Sequence, residues 1–329
     1  MCGIVGVWNP ERADPTEAAR LAFFALYALQ HRGQESAGIA ATDGRDMRIV
    51  RRMGLVGQVF SEPDLGVLGG RAAIGHTRYS TTGSSRIQNA QPMVVRTDEL
   101  GELAISHNGN CINARDLREG LSQTGVPFTT SSDTEVIAQV IAHEDGATWD
   151  ERLTRALPKL QGAWSLVILT PSALYAVRDP LGVRPLCLGR KGDTWLVASE
   201  TCALETVGAR FIRDVAPGEV LRIDDAGPVT IADFAANRRG LCVFEHVYLA
   251  SVASDLGGTS VYATRERMGE TLAGECPAVA DVVIFPRGPM PSIRSPDRAY
   301  RTQRSPGPSP CNTMSRVSSR AAGSSRRMV

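Results

Sequence analysis

Between Ser36 and Ile223 the chain lays down short β-prone runs too close together to be joined by helices. Ser36–Ala41 and Met47–Arg52 are five residues apart, and Ala163–Thr170 and Ala173–Arg178 only two. A parallel pair needs a crossover of about a dozen residues or more, so much of the sheet must be antiparallel. Gly3–Trp8, Ala72–Thr77, Glu102–His107, Thr194–Ala198 and Glu219–Ile223 add further runs, punctuated by Gly, Asp, Ser and Pro. Helical spacing governs Pro15–Gly33, where Ala18, Leu21, Ala22, Ala25, Leu26 and Leu29 share a face and Gly33 closes the element. Ala114–Gln123, Asp133–Glu144 and Asp150–Lys159 read as helices too. Strands that bury themselves under outer helices make an α+β layered domain of two sheets, spanning residues 2–235.

Beyond it the character changes twice. Residues 236–284 begin a second unit, with a helix expected at Ser260–Glu275 and a buried strand at Ala280–Phe285. Residues 285–329 are rich in Arg, Pro and Ser without periodicity, and pack no core of their own. Nine Arg against one acid give this tail +8, while the whole chain carries +1, so the body carries −7. A natural basic tail and a continuation lost to out-of-frame translation both fit, and the abandoned helix and strand favour the second. Near-neutral net charge argues against a nucleic-acid binder. No apolar run reaches the roughly 18 residues of a membrane span, and no signal peptide opens the chain. Seven cysteines without a C-x-x-C pair fit reduced thiols, so a cytoplasmic location is expected.

The candidate chemistry sits at the start and in the turns. Removal of Met1 would leave Cys2 with a thiol and a free α-amine on one residue, a nucleophile and a general base together. An incidental N-terminal cysteine is the alternative. Asn108-Gly109 is either a tight turn or an oxyanion hole built from the Asn108 amide and the Gly109 N–H. Ser131-Ser132-Asp133-Thr134-Glu135 is either a helix N-cap or the place where the Asp133 carboxylate holds a substrate ammonium. Arg78 is either an ordinary ion-paired side chain or a fork for a substrate carboxylate. Taken together, the functional alternatives suit a free α-amino acid with a reactive side-chain amide.

With those residues in view, the sequence resembles the class II, N-terminal-nucleophile glutamine amidotransferases, in the branch that uses phosphoribosyl pyrophosphate. The resemblance rests on CGIVGVW (2–8), ALQHRGQESAGIA (28–40), GHTRYSTTG (75–83), SHNGN (106–110), SSDTEV (131–136), RDPLGVRPLCLG (178–189), ASETCALE (198–205) and CVFEHVYLA (242–250). It implies a four-layer αββα sandwich, then the incomplete start of an α/β phosphoribosyltransferase domain. It implies L-glutamine as substrate, with Cys2 as nucleophile, Arg78 and Asp133 on its carboxylate and amine, and Asn108 with Gly109 on the oxyanion. Gly33 would lie where the backbone closely approaches glutamine. Ammonia would pass to phosphoribosyl pyrophosphate with Mg²⁺, the committed step of purine synthesis, in a homo-oligomer without nucleic-acid or membrane partners. Cys242 matches an iron–sulfur ligand position of some members, but the further cysteines are missing and a [4Fe–4S] cluster is not expected to assemble. No phosphate-cradling loop follows Ile284, and Leu249-Ala250-Ser251-Val252-Ala253-Ser254 replaces the family's usual Arg-Pro-Asp-Ser-like turn. The expectation is an intact glutamine-hydrolysing half. A non-catalytic fragment serving as an assembly module is the alternative.

Overall fold

The computed structural model describes residues 1–10, 14–79 and 85–277. Thirteen strands build two antiparallel sheets. The first contains β1 (Gly3–Trp8), β2 (Ser36–Thr42), β3 (Met47–Met53) and β4 (Ala72–Arg78). The second opens with β5 (Met93–Thr97), β6 (Gly101–Cys111), β7 (Gly162–Leu169) and β8 (Leu174–Arg178). The chain then returns to the first sheet with β9 (Cys187–Lys191), β10 (Thr194–Ala198) and β11 (Arg210–Asp214), and ends in the second with β12 (Glu219–Asp224) and β13 (Gly227–Asp233). The orders are β11-β9-β10-β1-β4-β2-β3 and β13-β12-β8-β7-β6-β5. β1 therefore lies at the centre of its sheet, and β6 one strand in from an edge.

The helices are α1 (Glu17–Ala28), α2 (Val56–Val59), α3 (Glu62–Val67), α4 (Ala114–Gln123), α5 (Asp133–Ala142), α6 (Trp149–Ala156), α7 (Thr201–Thr206) and α8 (Val261–Glu275). Three apolar layers separate four structural ones. Val5 and Val7 of β1 pack outward with Leu21, Leu26 and Leu29 of the α1 region. Ile4 and Trp8, on the other face of β1, meet Val167, Leu174 and Leu221 of the facing sheet. Ile105, Leu166 and Ile168 pack outward against Val136, Ile137, Ile141 and Leu153 from α5 and α6. Each fully buried Leu or Ile of this kind stabilises by about 1.5–3 kcal/mol. The αββα sandwich is thus the fold of the described chain.

Sequence periodicity locates the interior strands and loses several peripheral ones. The periodicity gives no signal for β5, β11 and β13; all three are sheet edges, and apart from the buried Met93 their residues are half-buried or exposed. Edge strands have no second partner to cover them, so their sequences carry charge instead of an apolar run. The interior β9 was also missed; its last two residues are exposed. The expected helix over 15–33 ends as α at Ala28 and continues as a tight 3-10 turn over Gln30–Arg32. Gly33 then runs extended rather than left-handed, and a Cβ there would lie 2.6 Å from the Arg78 carbonyl carbon. Residues 1–265 form one compact unit, and a second begins at Glu266. The expected helix near 260 is α8, whereas the expected strand at Ala280–Phe285 and the basic tail lie outside the described residues.

Candidate active site

Cys2 sits at the mouth of the central strand. β1 and β4 pair with Gly3 opposite Thr77, which brings the end of β4 beside Cys2. The thiol is 3.6 Å from the Tyr79 carbonyl oxygen and the residue is 7 % exposed. Burial pushes the thiol pKa up, against the opposing pull of the Tyr79 contact, the terminal amine and the Arg78 charge. A thiol so placed is protonated at rest and needs a base. The backbone nitrogen of Cys2 donates to Asn108 Oδ1 at 3.0 Å across the two sheets. With Met1 in place this donor is a peptide N–H, and it stands where a free α-amine would be.

Asn108 and Gly109 do not form a turn. β6 runs through both to Cys111, with Asn108 opposite Ser165 and Gly109 opposite Trp164. The Asn-Gly pair looked like a hairpin because that dipeptide tolerates positive φ, and Gly109 uses that tolerance inside a strand. Its φ is 149°, and a Cβ would lie 2.2 Å from the Ala163 carbonyl oxygen. β5 pairs with β6 only as far as Ile105, so the rest of that edge is open to side chains. The His107 N–H donates to Gln91 Oε1 there at 2.7 Å, and the Cys111 N–H to Asp133 Oδ2 at 3.0 Å. By the two-residue period of a strand the Gly109 N–H faces the same edge. The Asn108 side chain is fully buried, and its Nδ2 has no hydrogen-bond partner among the described residues. A buried amide donor left open in this way is costly unless something arrives to accept from it.

In the stretch 131–135 the cap is Ser132, not Asp133. Ser132 Oγ accepts from the Thr134 N–H at 3.2 Å and caps α5. Asp133 is thereby released from capping; it takes the Cys111 N–H and lies 3.7 Å from His107 Nδ1. Burial lowers the His107 pKa against the pull of Asp133, and lowers His76 to about 3, so both imidazoles are neutral near pH 7. Arg78 is 3 % exposed and donates from Nη1 to Glu35 Oε2 at 3.3 Å. Gly33 meets the backbone of Thr77 and Arg78, so the close approach visible at that position is to β4 itself.

Three charged groups at the site were not singled out in the sequence. Arg32 is wholly buried and donates from Nε to the Cys2 carbonyl oxygen at 2.9 Å. Its other nitrogens bond Glu200 and form a two-pronged contact with Glu245 at 3.0 Å each. Burial alone would lower the Arg32 pKa, but Glu245 and Glu200 reverse this and hold it above the usual arginine range. Burial would raise the Glu200 carboxyl, and the Arg32 charge and the His31 bond hold it well below the ordinary range instead. The available signal was Glu245, with His246 beside it, inside the otherwise apolar stretch from Val243 to Tyr248. Cys242 is half-buried with Arg184 Nη1 3.5 Å from its sulfur, and no group of three or more His, Cys, Asp or Glu among the described residues is placed to hold a metal ion. One thiol facing a guanidinium does not fit an iron–sulfur cluster.

Residues 76–206 match the glutamine amidotransferase domain family. The chain is 45 % identical over 286 residues to the amidophosphoribosyltransferase of Archaeoglobus fulgidus, an alignment covering 86 % of this chain and 61 % of that one. Over that stretch the chain is similar to the amidophosphoribosyltransferases. The amidophosphoribosyltransferase of Synechococcus elongatus is 47 % identical over 289 residues, with 86 % and 58 % covered. A solved structure described as glutamine phosphoribosylpyrophosphate amidotransferase from B. subtilis, complexed with ADP and GMP, superposes with a TM-score of 0.79 at 40 % identity. The match covers 85 % of this chain and 60 % of that one. Another, described as the allosteric regulatory enzyme of purine biosynthesis, gives 0.80 at 40 % identity, with 85 % and 59 % covered. The chain thus spans about three-fifths of the length of these amidophosphoribosyltransferase relatives. No helix among the described residues is long and apolar enough to cross a membrane.

Proposed function

We propose that this chain hydrolyses the side-chain amide of L-glutamine at Cys2, as the nitrogen-supplying half of an amidophosphoribosyltransferase. The observation that carries the reading is Asn108, whose Oδ1 accepts from the Cys2 nitrogen while its buried Nδ2 has no partner among the described residues. Such a residue orients a nucleophile with one atom and awaits an oxyanion with the other.

In this mechanism Met1 is removed and the Cys2 α-amine takes the thiol proton. Sγ attacks the carboxamide carbon, and the oxygen takes the electron pair as O⁻ between Asn108 Nδ2 and the Gly109 N–H. Collapse of the intermediate breaks the C–N bond, and the Cys2 ammonium returns its proton to the leaving nitrogen, releasing ammonia. Water, deprotonated by the same amine, then cleaves the thioester to glutamate and restores the thiol. Arg78 holds the substrate α-carboxylate and Asp133 its α-ammonium, so the amide carbon is delivered in one orientation. His76 and His107 are neutral and buried, which leaves the amine as the group with a proton affinity suited to the task.

Amide transfer to phosphoribosyl pyrophosphate is the activity in the relatives' name. It comes to this chain as a proposal about where the ammonia goes, with Mg²⁺ supplying charge neutralisation to that acceptor. The test is glutamate release from L-glutamine by the purified chain, with and without phosphoribosyl pyrophosphate and Mg²⁺. Release that saturates with glutamine and disappears in Cys2→Ala supports the reading. No release above the Cys2→Ala control overturns it and leaves the non-catalytic alternative.

A further inference from the structure

The Cys2 carbonyl is held by one side chain, and that side chain is aimed from outside the sandwich. Arg32 Nε donates to Cys2 O at 2.9 Å from a fully buried position. A guanidinium is planar, so fixing its two Nη atoms fixes the direction of Nε. Glu245 supplies that fixing with both carboxylate oxygens, at 3.0 Å to Nη1 and 3.0 Å to Nη2. Glu245 is itself buried and lies beyond β13, the last strand of either sheet. Glu200 takes the remaining Nη1 direction. It is braced in turn by His31 Nε2 at 2.9 Å, the Ser251 N–H at 2.8 Å and Ser254 Oγ at 2.7 Å. Arg184 Nη1 stands 3.8 Å from Glu245 Oε1, so two cations and two carboxylates balance.

We propose that Glu245 is a positioning residue for the Cys2 nucleophile, acting through the plane of the Arg32 guanidinium. The inference rests on the glutaminase reading above. Without the Glu245 fork, Arg32 keeps one carboxylate and can turn about its own axis, and the Nε contact to the Cys2 carbonyl loses its direction. The peptide plane of residue 2 sets where Sγ and the α-amine point, so the loss falls on attack. Arg78 and Asp133, the proposed anchors of glutamine, touch neither Glu245 nor Arg32 in any hydrogen bond or ion pair between described residues. Binding of glutamine is therefore untouched. A positioning role predicts a fall in kcat without a rise in KM.

The experiment uses the full chain and measures glutamate release in wild type, Glu245→Gln, Arg32→Lys and the double variant. Glu245→Gln is expected to lower kcat about 10- to 100-fold with KM within twofold. Arg32→Lys keeps the charge but lacks both the fork and Nε, and is expected to fall at least as far. The double variant should be no more than about twofold worse than Arg32→Lys alone, because Glu245 has nothing left to aim. Multiplying effects, or a loss confined to KM, overturn the proposal. Glu245→Asp keeps the buried charge but not the reach, and guards against misfolding by the neutral variant; it should show the same split. Calorimetric glutamine binding in a Cys2→Ala background checks that each variant retains the pocket. An inactive wild type would overturn the glutaminase reading and this inference with it. An active wild type with an unaffected Glu245→Gln overturns this inference alone.

Discussion

Asn108→Ala removes two polar atoms of one side chain, to which the proposed mechanism gives different roles. Oδ1 accepts from the Cys2 nitrogen at 3.0 Å, and Nδ2 is buried without a partner among the described residues. Losing a donor that meets charge only in the transition state lowers kcat by about 10²–10³, or roughly 2.7–4 kcal/mol. Losing the acceptor leaves the Cys2 nitrogen buried and unsatisfied, which lowers stability by about 1–3 kcal/mol. The two losses are read separately. Glutamate formation, followed with a coupled dehydrogenase at saturating glutamine, gives kcat; chemical unfolding gives stability. Asn108→Asp keeps an oxygen for the Cys2 nitrogen and replaces the donor with a second acceptor. It is expected to match Asn108→Ala in kcat, since the oxyanion then meets an oxygen that cannot donate. An Asn108→Asp enzyme within threefold of wild-type kcat would refute the donor role and leave Asn108 as an orienting residue only.

Other expectations follow from the same site. Intact-mass measurement of active protein is expected to show Met1 absent; Cys2→Ala should abolish hydrolysis, and Cys2→Ser nearly so, because a hydroxyl is a far weaker nucleophile near neutral pH. Asp133→Asn and Arg78→Ala should act mainly on KM for glutamine, tenfold or more, and steady-state kinetics showing kcat effects alone would contradict their assignment as anchors. His76 is fully buried with its pKa pushed down to about 3, against about 6.5 when unfolded, so the unfolded chain binds the extra proton in acid. Its contribution is complete above about pH 6.5 and is lost at up to about 1.4 kcal/mol per pH unit as pH falls toward about 3. His76→Gln should flatten the pH dependence of urea unfolding between pH 6.5 and 4.5, and an unchanged slope would contradict the burial argument.

The two central sheets were legible because their inner strands carry continuous apolar runs, as in Gly3–Trp8 and Leu166–Leu169. Their spacing excluded crossovers. β11, with the sequence Arg-Phe-Ile-Arg-Asp, was not legible, because one sheet edge asks for charge where an interior strand asks for Val or Ile. At the candidate site, Cys2 and Asp133 stand out in the sequence as candidates, from chemistry expected ahead of an apolar strand and before an apolar helix. Asn108-Gly109 was read as a choice between turn and oxyanion hole; a sequence cannot show that the strand continues to Cys111 with Gly109 strained inside it. Arg32 and Glu200 carry no local signal, and Glu245, although set in a mostly apolar run, could not be paired in the sequence with an arginine 213 positions away.

Cys2 leads into β1 and Arg78 ends β4 of one sheet, Asn108 lies in β6 of the other, and the contact between Cys2 and Asn108 spans 106 residues of chain. Among the described residues no single sheet holds both sides of the Cys2–Asn108 contact. Contacts of such long sequence separation form late, because loop closure precedes their reward. The proposed glutamine turnover would therefore time the docking of the two sheets: during refolding it should return only after helical and strand signals have recovered. A cut between β4 and β5 should silence both fragments until they are mixed, β1 pairs again with β10 and the sheets close.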